Sequence, residues 1–318
     1  MRAVASAPAK AILFGEHFVV YGKPAIATAL ERRVRATSTI NNAGEVRVRS
    51  MLGYSRMDLE SIHDPNLYRD DPHRHIIFSA AGVMRLLERY TGVDILLESD
   101  FPYGMGLGAS AATSVATIAS VGSLLGRVSR DEVFRLSVEA ERLVHRNPSG
   151  IDSAVCTYGG LVLFKDGRVE RLDKRMYIDM HFMVVNSGIM KDTGAMVMRV
   201  KARGESSREE FASLAEMSEQ LTMQALYAMG CGDRARLGEL LTLNHGLLRR
   251  LGVSNAVLDG IVHALLKNGA YGAKLTGAGG GGCIISLIDS SSTPPPDALS
   301  RYETFTSGVE EQGVITGA

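Results

Sequence analysis

The sequence carries no excess of charge of either sign: Lys and Arg number 35, as do Asp and Glu, in 318 residues. With no net positive charge and no long basic run, the usual driving force for binding nucleic acid or an anionic membrane is missing. Cysteine is sparse. Cys156, Cys231 and Cys283 lie far apart and form no C-x-x-C pair, which fits a reducing cytosol and argues against a disulfide framework or a zinc site; buried apolar thiols are expected. Long apolar runs are also absent. No stretch approaches the roughly 18–20 apolar residues of a membrane span. The opening MRAVASAPAKAILFGEH is interrupted by Lys10 and closed by Glu16 and His17, too early for a signal-peptide core. The expectation is a soluble, cytoplasmic protein with no nucleic-acid or membrane partner, and its 45% hydrophobic content allows a full core.

Neither a fixed-period repeat nor a low-complexity linker divides the chain. Residues 3–40 read as strands, with Gly15 and Gly22 marking a turn. The spacing of Ile76, Ile77, Ala80, Val83, Met84 and Leu87 predicts a helix over 75–90, and VDILLES a strand after it. A glycine-rich turn and a helix of small residues follow. Ser129 and Glu132 are spaced as a capping box for a helix over about 130–146. CTYGGLVLF and VERLD read as strands joined by a Lys165-Asp166-Gly167 turn. Composition changes after about residue 175: MHFMVVNSG reads as a buried strand, then helices are predicted over 205–229, 234–250 and 255–267. Asp233 and Ser254 are the expected N-caps and Asn268-Gly269 the last stop. GAKLTGAGGGGCIISLI is a glycine loop entering a strand, and SSSTPPPDA a surface loop. Helices and strands do not alternate one to one, so an α+β fold is favoured over a doubly wound sheet.

PYGMGLGASAATS, residues 102–114, is the strongest chemical signal. Gly104, Gly106 and Gly108 permit positive φ and let backbone amides approach a phosphate. The helix starting near Ala109 points its free N–H groups at the same place, with the Ser110 and Thr113 hydroxyls in its first turn. The loop lacks the lysine of a Walker motif and the G-x-G-x-x-G spacing of a Rossmann turn; a plain glycine turn before a tightly packed helix is the bland alternative. Glu141 falls inside the apolar arc of its helix at ~100° per residue. A buried carboxylate needs a partner, either a metal ion or a buried arginine. Asp152 follows the Asn147-Pro148-Ser149-Gly150 turn, suited to a general base, to a partner for a lysine, or to capping the next helix. Lys10 interrupts the strand-like APAKAILF, where a lysine is unwelcome unless an anion waits. Glu16 and His17 after Gly15 fit either a substrate site or the surface. His73 and His75 have H-x-H spacing but no further ligands nearby, and read as exposed and not metal-binding.

Three segments in order, APAKAILFGEHFVVYG, PYGMGLGASAA and KLTGAGGGGC, resemble the motifs of the GHMP kinases, and the likeness runs from residue 7 to about 286. Within that family, GEHFVVYG, ERLVHRNPSGIDSAVCTYGG and LNHGLLRRLGVSNAVLD look like the mevalonate kinase branch, in its compact archaeal form. The resemblance implies an α+β GHMP kinase fold. Residues 1–175 would form a ribosomal-S5-domain-2-like, ATP-binding domain with a left-handed β-α-β unit, and residues 176–318 a ferredoxin-like domain. It implies transfer of the ATP γ-phosphate to the C5 hydroxyl of mevalonate, in isoprenoid biosynthesis. Pro102, Tyr103, Gly104, Met105, Gly106, Leu107, Gly108, Ala109, Ser110, Ala111 and Ala112 would then cradle ATP. Ser110 and Glu141 would hold Mg²⁺, Asp152 would take the hydroxyl proton, and Lys10 would face Asp152 and the transferring phosphate. Glu16, His17 and Thr193 would contact mevalonate. Two positions depart from the pattern: Ala109 replaces a usual serine, and Arg146 a frequent glycine. A kinase for phosphomevalonate or a sugar remains a rival, with Lys191 and Arg146 the basic candidates for a second phosphate. A non-catalytic ligand sensor would be expected to have lost Asp152, Lys10 or the Mg²⁺ ligands, and all are present. Whether the chain forms a homodimer is not legible in the sequence.

Overall fold

The computed structural model describes residues 1–145, 148–165, 167–190 and 192–317. Arg146, Asn147, Asp166 and Lys191, named above for turns or for basic charge, lie outside them. The first sheet is built from β1 (Arg2–Phe14), β2 (Ala25–Asn41), β3 (Glu45–Ser50), β4 (Gly53–Asp58), β5 (Gly92–Ser99), β6 (Leu161–Lys165), β7 (Arg168–Arg171) and β12 (Ile315–Thr316). Its order is β12-β1-β2-β5-β3-β4, and β6 and β7 extend it from the first half of β2. All pairings are antiparallel except β3 with β5, whose connection passes through β4 and α1 (Arg74–Leu87). The helices α2 (Ala109–Leu125), α3 (Arg130–Glu141) and α4 (Ile151–Tyr158) complete this half. The second sheet contains β8 (His181–Asn186), β9 (Gly272–Leu275), β10 (Cys283–Ile288) and β11 (Thr304–Ser307), antiparallel in the order β11-β8-β10-β9. Between β8 and β9 run α5 (Thr193–Ser206), α6 (Arg208–Gly230), α7 (Arg234–Leu251) and α8 (Ala256–Lys267).

The far half of β1 is buried on both faces. Ala9, Ala11 and Leu13 join the core that contains Ala111, Ala112 and Val115 of α2. Ile12, on the opposite face, packs with Ala25 and Ala27 of β2 and with Ile151 and Val155 of α4. The two-residue period of a strand puts Lys10 on the Ile12 face, so a lysine is carried into the interior where α4 begins. A second core joins Met183 and Val185 of β8 to Leu247, Leu251, Leu258 and Ile261 of α7 and α8. No helix among the described residues is long and apolar enough to cross a membrane.

Several local expectations are corrected. The residues after Gly15 form a one-turn 3₁₀ helix, Phe18–Tyr21, and not a strand. CTY belongs to α4: its N-cap Gly150 is left-handed, and Gly159 and Gly160, at φ 71 and 70, end it just before β6. α3 stops at Glu141, with Pro148 ahead unable to continue a helix. α5 was not foreseen, because its one buried described residue, Val200, leaves no apolar stripe to read. The cap of α8 is Asn255, whose side chain accepts from Val257 and Leu258; Ser254 donates instead to Asp259. Cys231 is exposed while the other two cysteines are buried. His73 and His75 are buried, not exposed. His73 pairs with the hydroxyls of Ser50 and Ser55, and His75 with that of Thr113.

α7 meets β9 through two glycines. A Cβ on Gly238 would lie 2.2 Å from the Tyr271 carbonyl oxygen, and one on Gly272 would lie 1.8 Å from that of Gly238. Gly246, on the same helix, has nothing within 4 Å. Gly238→Ala is expected to cost about 1–3 kcal/mol by overpacking, and Gly246→Ala to gain about 0.5–1 kcal/mol; denaturant unfolding of both variants checks the pair. Burial, helped by Arg74, His73 and His145, lowers the pKa of His75 to about 3. The unfolded chain, titrating near 6.5, then binds the extra proton. Stability is therefore complete above that value and falls as pH drops below it, by up to about 2 kcal/mol at pH 5. Thermal unfolding from pH 7 to 5 should show this slope, and His75→Gln should flatten it.

Candidate active site

The glycine loop adopts the backbone its composition requires. Gly104, Gly106 and Gly108 have φ 83, 87 and 74, and Gly108 is the left-handed N-cap of α2, with no side chain capping the helix. The first-turn N–H groups of α2 thus face the loop without a side-chain partner, the arrangement that binds an anion. Behind the first turn every residue of α2 from Ala111 to Leu125 except Ser123 is buried, which is why the helix is built from small residues. Thr113 belongs to that buried part, and its hydroxyl donates to the carbonyls of Ala109 and Ser110.

Lys10 ties the loop to the rest of the site. Its backbone N–H donates to the Leu107 carbonyl at 2.9 Å. Its ammonium donates to the Gly106 carbonyl at 3.3 Å and sits 3.0 Å from Asp152 Oδ2. A Cβ on Gly108 would lie 2.7 Å from Lys10 Cγ, so the loop closes over the lysine stem only because glycine is there. Asp152 lies in the first turn of α4, one residue past the start, where a carboxylate suits the positive end of the helix dipole. Its side chain is 31% exposed, against 3% for Lys10.

Glu141, the last residue of α3, is 3% exposed. Ser110 Oγ donates to its Oε2 at 3.1 Å, and His145 Nε2 is 3.7 Å from the same oxygen. Its Oε1 has no hydrogen-bond partner among the described residues. Burial, reinforced by the charge of Asp152, pushes its pKa up to about 8, against the opposing pull of Ser110 and Lys10. No buried arginine answers it among its described partners.

Lys10, Glu141 and Asp152 line one cavity of about 1100 Å³, together with Glu16, His17, Thr193, Gly277 and Ala278. Ser110 reaches it through Glu141. His17 adopts φ 63, and its Nε2 is 3.0 Å from the Ala278 carbonyl oxygen. Thr193 is the first residue of α5. Glu16 is buried, ion-paired with Lys274 and hydrogen-bonded by Asn244. Lys274 and Asn244 went unremarked in the sequence. The signal for Lys274 was nonetheless the one that marked Lys10, a lysine set among small and apolar strand residues.

The chain matches the family models for the GHMP kinases N terminal domain over residues 75–160 and the GHMP kinases C terminal domain over residues 222–298. It is 36% identical over 297 residues to a mevalonate kinase from Pyrococcus horikoshii, covering 89% of this chain and 88% of that one. A mevalonate kinase from Archaeoglobus fulgidus is 35% identical over 286 residues, covering 90% and 92%. Among solved structures, the Methanococcus jannaschii mevalonate kinase superposes with a TM-score of 0.82 at 25% identity, covering 96% of this chain and 98% of that one. The L. major mevalonate kinase in complex with R-mevalonate gives 0.78 at 26%, covering 96% and 95%. With both family models matched in order and archaeal kinases aligned along nearly all of its length, the chain belongs to the GHMP kinase family.

Proposed function

We propose that the chain transfers the γ-phosphate of ATP to the C5 hydroxyl of mevalonate. The observation that carries this reading is the buried Lys10 ammonium, which joins a carbonyl of the anion-binding loop to a carboxylate that opens on the cavity. The choice of alcohol draws support from the archaeal relatives, which are mevalonate kinases. Residues 1–175 would supply the ATP side and the later residues much of the acceptor side.

Phosphoryl transfer asks mainly for positioning and for neutralisation of charge. The loop from Pro102 to Ala112 would hold the phosphates on its amides. Asp152 would accept the proton of the attacking hydroxyl. Lys10, already against that carboxylate, would offset charge on the transferring group. His17 and Thr193, with the Glu16 turn, would border the acceptor. Glu141 fits a divalent cation: one oxygen is unpartnered among the described residues and the buried carboxyl is pushed toward its neutral form, an imbalance that a cation would reverse. Ser110 and Glu141 would hold Mg²⁺, which when bound neutralises phosphate oxygens. Two protein donors suit an ion that shares its remaining positions with water and phosphate.

A phosphorylated acceptor is the second reading, favoured by Lys201 and Arg208 on the cavity wall, with Glu205 opposing them. Purified protein given ATP, Mg²⁺ and mevalonate, phosphomevalonate or galactose in turn, with ADP release and product mass measured, separates the readings. Turnover of mevalonate above the others is expected. Turnover of another alcohol with none of mevalonate would overturn the proposal.

A further inference from the structure

We infer that Lys274 is a positioning residue for the acceptor: by gripping the Glu16 carboxylate it sets the turn that presents His17 to the cavity. The inference rests on reading that cavity as the acceptor site. Lys274 is wholly buried, and its ammonium meets the Glu16 carboxylate, the Leu275 carbonyl at 2.6 Å and the Ile12 carbonyl at 3.3 Å. Those three acceptors use its three N–H donors. The other Glu16 oxygen accepts from Asn244 Nδ2 at 3.1 Å, and the same amide also reaches the Leu13 carbonyl at 3.4 Å. Both oxygens of Glu16, which lines the cavity, are therefore held from inside the protein.

What it holds is a strained corner between two distant segments. Thr276 brackets Ile12, its hydroxyl accepting from the Ile12 N–H at 2.8 Å and donating to the Ile12 carbonyl at 3.0 Å. From Ile12 to Glu16, the end of β1 is thus fastened to the end of β9 and to α7. Immediately afterwards His17 takes a positive φ of 63 with ψ −42, outside the left-handed helical well, which a non-glycine residue keeps only where its surroundings enforce it. Its ring meets the Ala278 carbonyl, 261 residues away. The imidazole position therefore depends on the spacing of these two segments, and the buried pair sets that spacing. A buried ion pair is a costly means of stabilisation alone, since apolar side chains of similar volume often do as well. Its place directly beneath the cavity gives it another use.

The test uses the full chain as Lys274→Met, Glu16→Gln and the double variant, with thermal unfolding and with KM measured separately for mevalonate and ATP. Lys274→Met should melt well below the wild type, because it strands a buried carboxylate, and the double variant should recover most of that loss. In the double variant, KM for mevalonate should stay raised by about tenfold, while kcat and KM for ATP remain within about threefold. A double variant with wild-type KM for mevalonate would reduce the pair to a structural role. Loss of turnover in Glu16→Gln, with Lys274→Met unchanged in KM, would make Glu16 a direct contact and overturn the inference. Wild-type protein inert on mevalonate is a distinct result that defeats the proposed function. The same split is then read with the alcohol that is turned over.

Discussion

The site depends on a cation held in the interior. Lys10 is carried inward by a strand covered on both faces, and an ammonium out of water is tolerated only where anions or carbonyls surround it. Asp152 and the Gly106 carbonyl supply those partners, and each comes from a different part of the fold. α4 must begin where it does to bring Asp152 in, and the loop must be glycine at 108 to close over the lysine stem. One ion pair thus links the far half of β1, the loop before α2 and the first turn of α4.

The pair also makes sense of the charges around it. The free first turn of α2 favours an anion, while Glu141, at the end of α3, is a buried carboxylate next to another carboxylate. Left alone, that arrangement penalises negative charge at Glu141, as the rise of its pKa to about 8 records. A polyanion accompanied by a divalent cation would satisfy the loop and the carboxylate together. These requirements match the nucleotide and Mg²⁺ of the proposed reaction.

Much of this was legible in the sequence because it broke local rules. A lysine in a strand, a glutamate in the apolar arc of a helix and alternating glycines before a small-residue helix each conflict with simple packing; the first two line one cavity, and the glycine loop joins them through its contacts with Lys10. The fold class followed from the order of elements, and the capping box at Ser129 was readable because its partners are three residues apart. What stayed hidden depends on long-range contacts. Nothing local distinguishes buried His73 and His75 from exposed ones, since the Ser50, Ser55 and Thr113 hydroxyls that pair with them are distant in sequence. α5 lacks an apolar stripe because it lies at the cavity edge. The role of Glu16 could not be read without knowing that Lys274, 258 residues away, lies against it.

The central claim is that Lys10 and Asp152 act as one unit. A double-mutant cycle on kcat tests it directly, using Lys10→Met, Asp152→Asn and the combination. Each single variant is expected to lose about 10²–10⁴-fold, and the combination should be little worse than the more damaged single variant, since the second change removes a partner already lost. Losses that multiply, with the double variant slower by the product of the two, would show that the two groups act independently and would contradict the arrangement described.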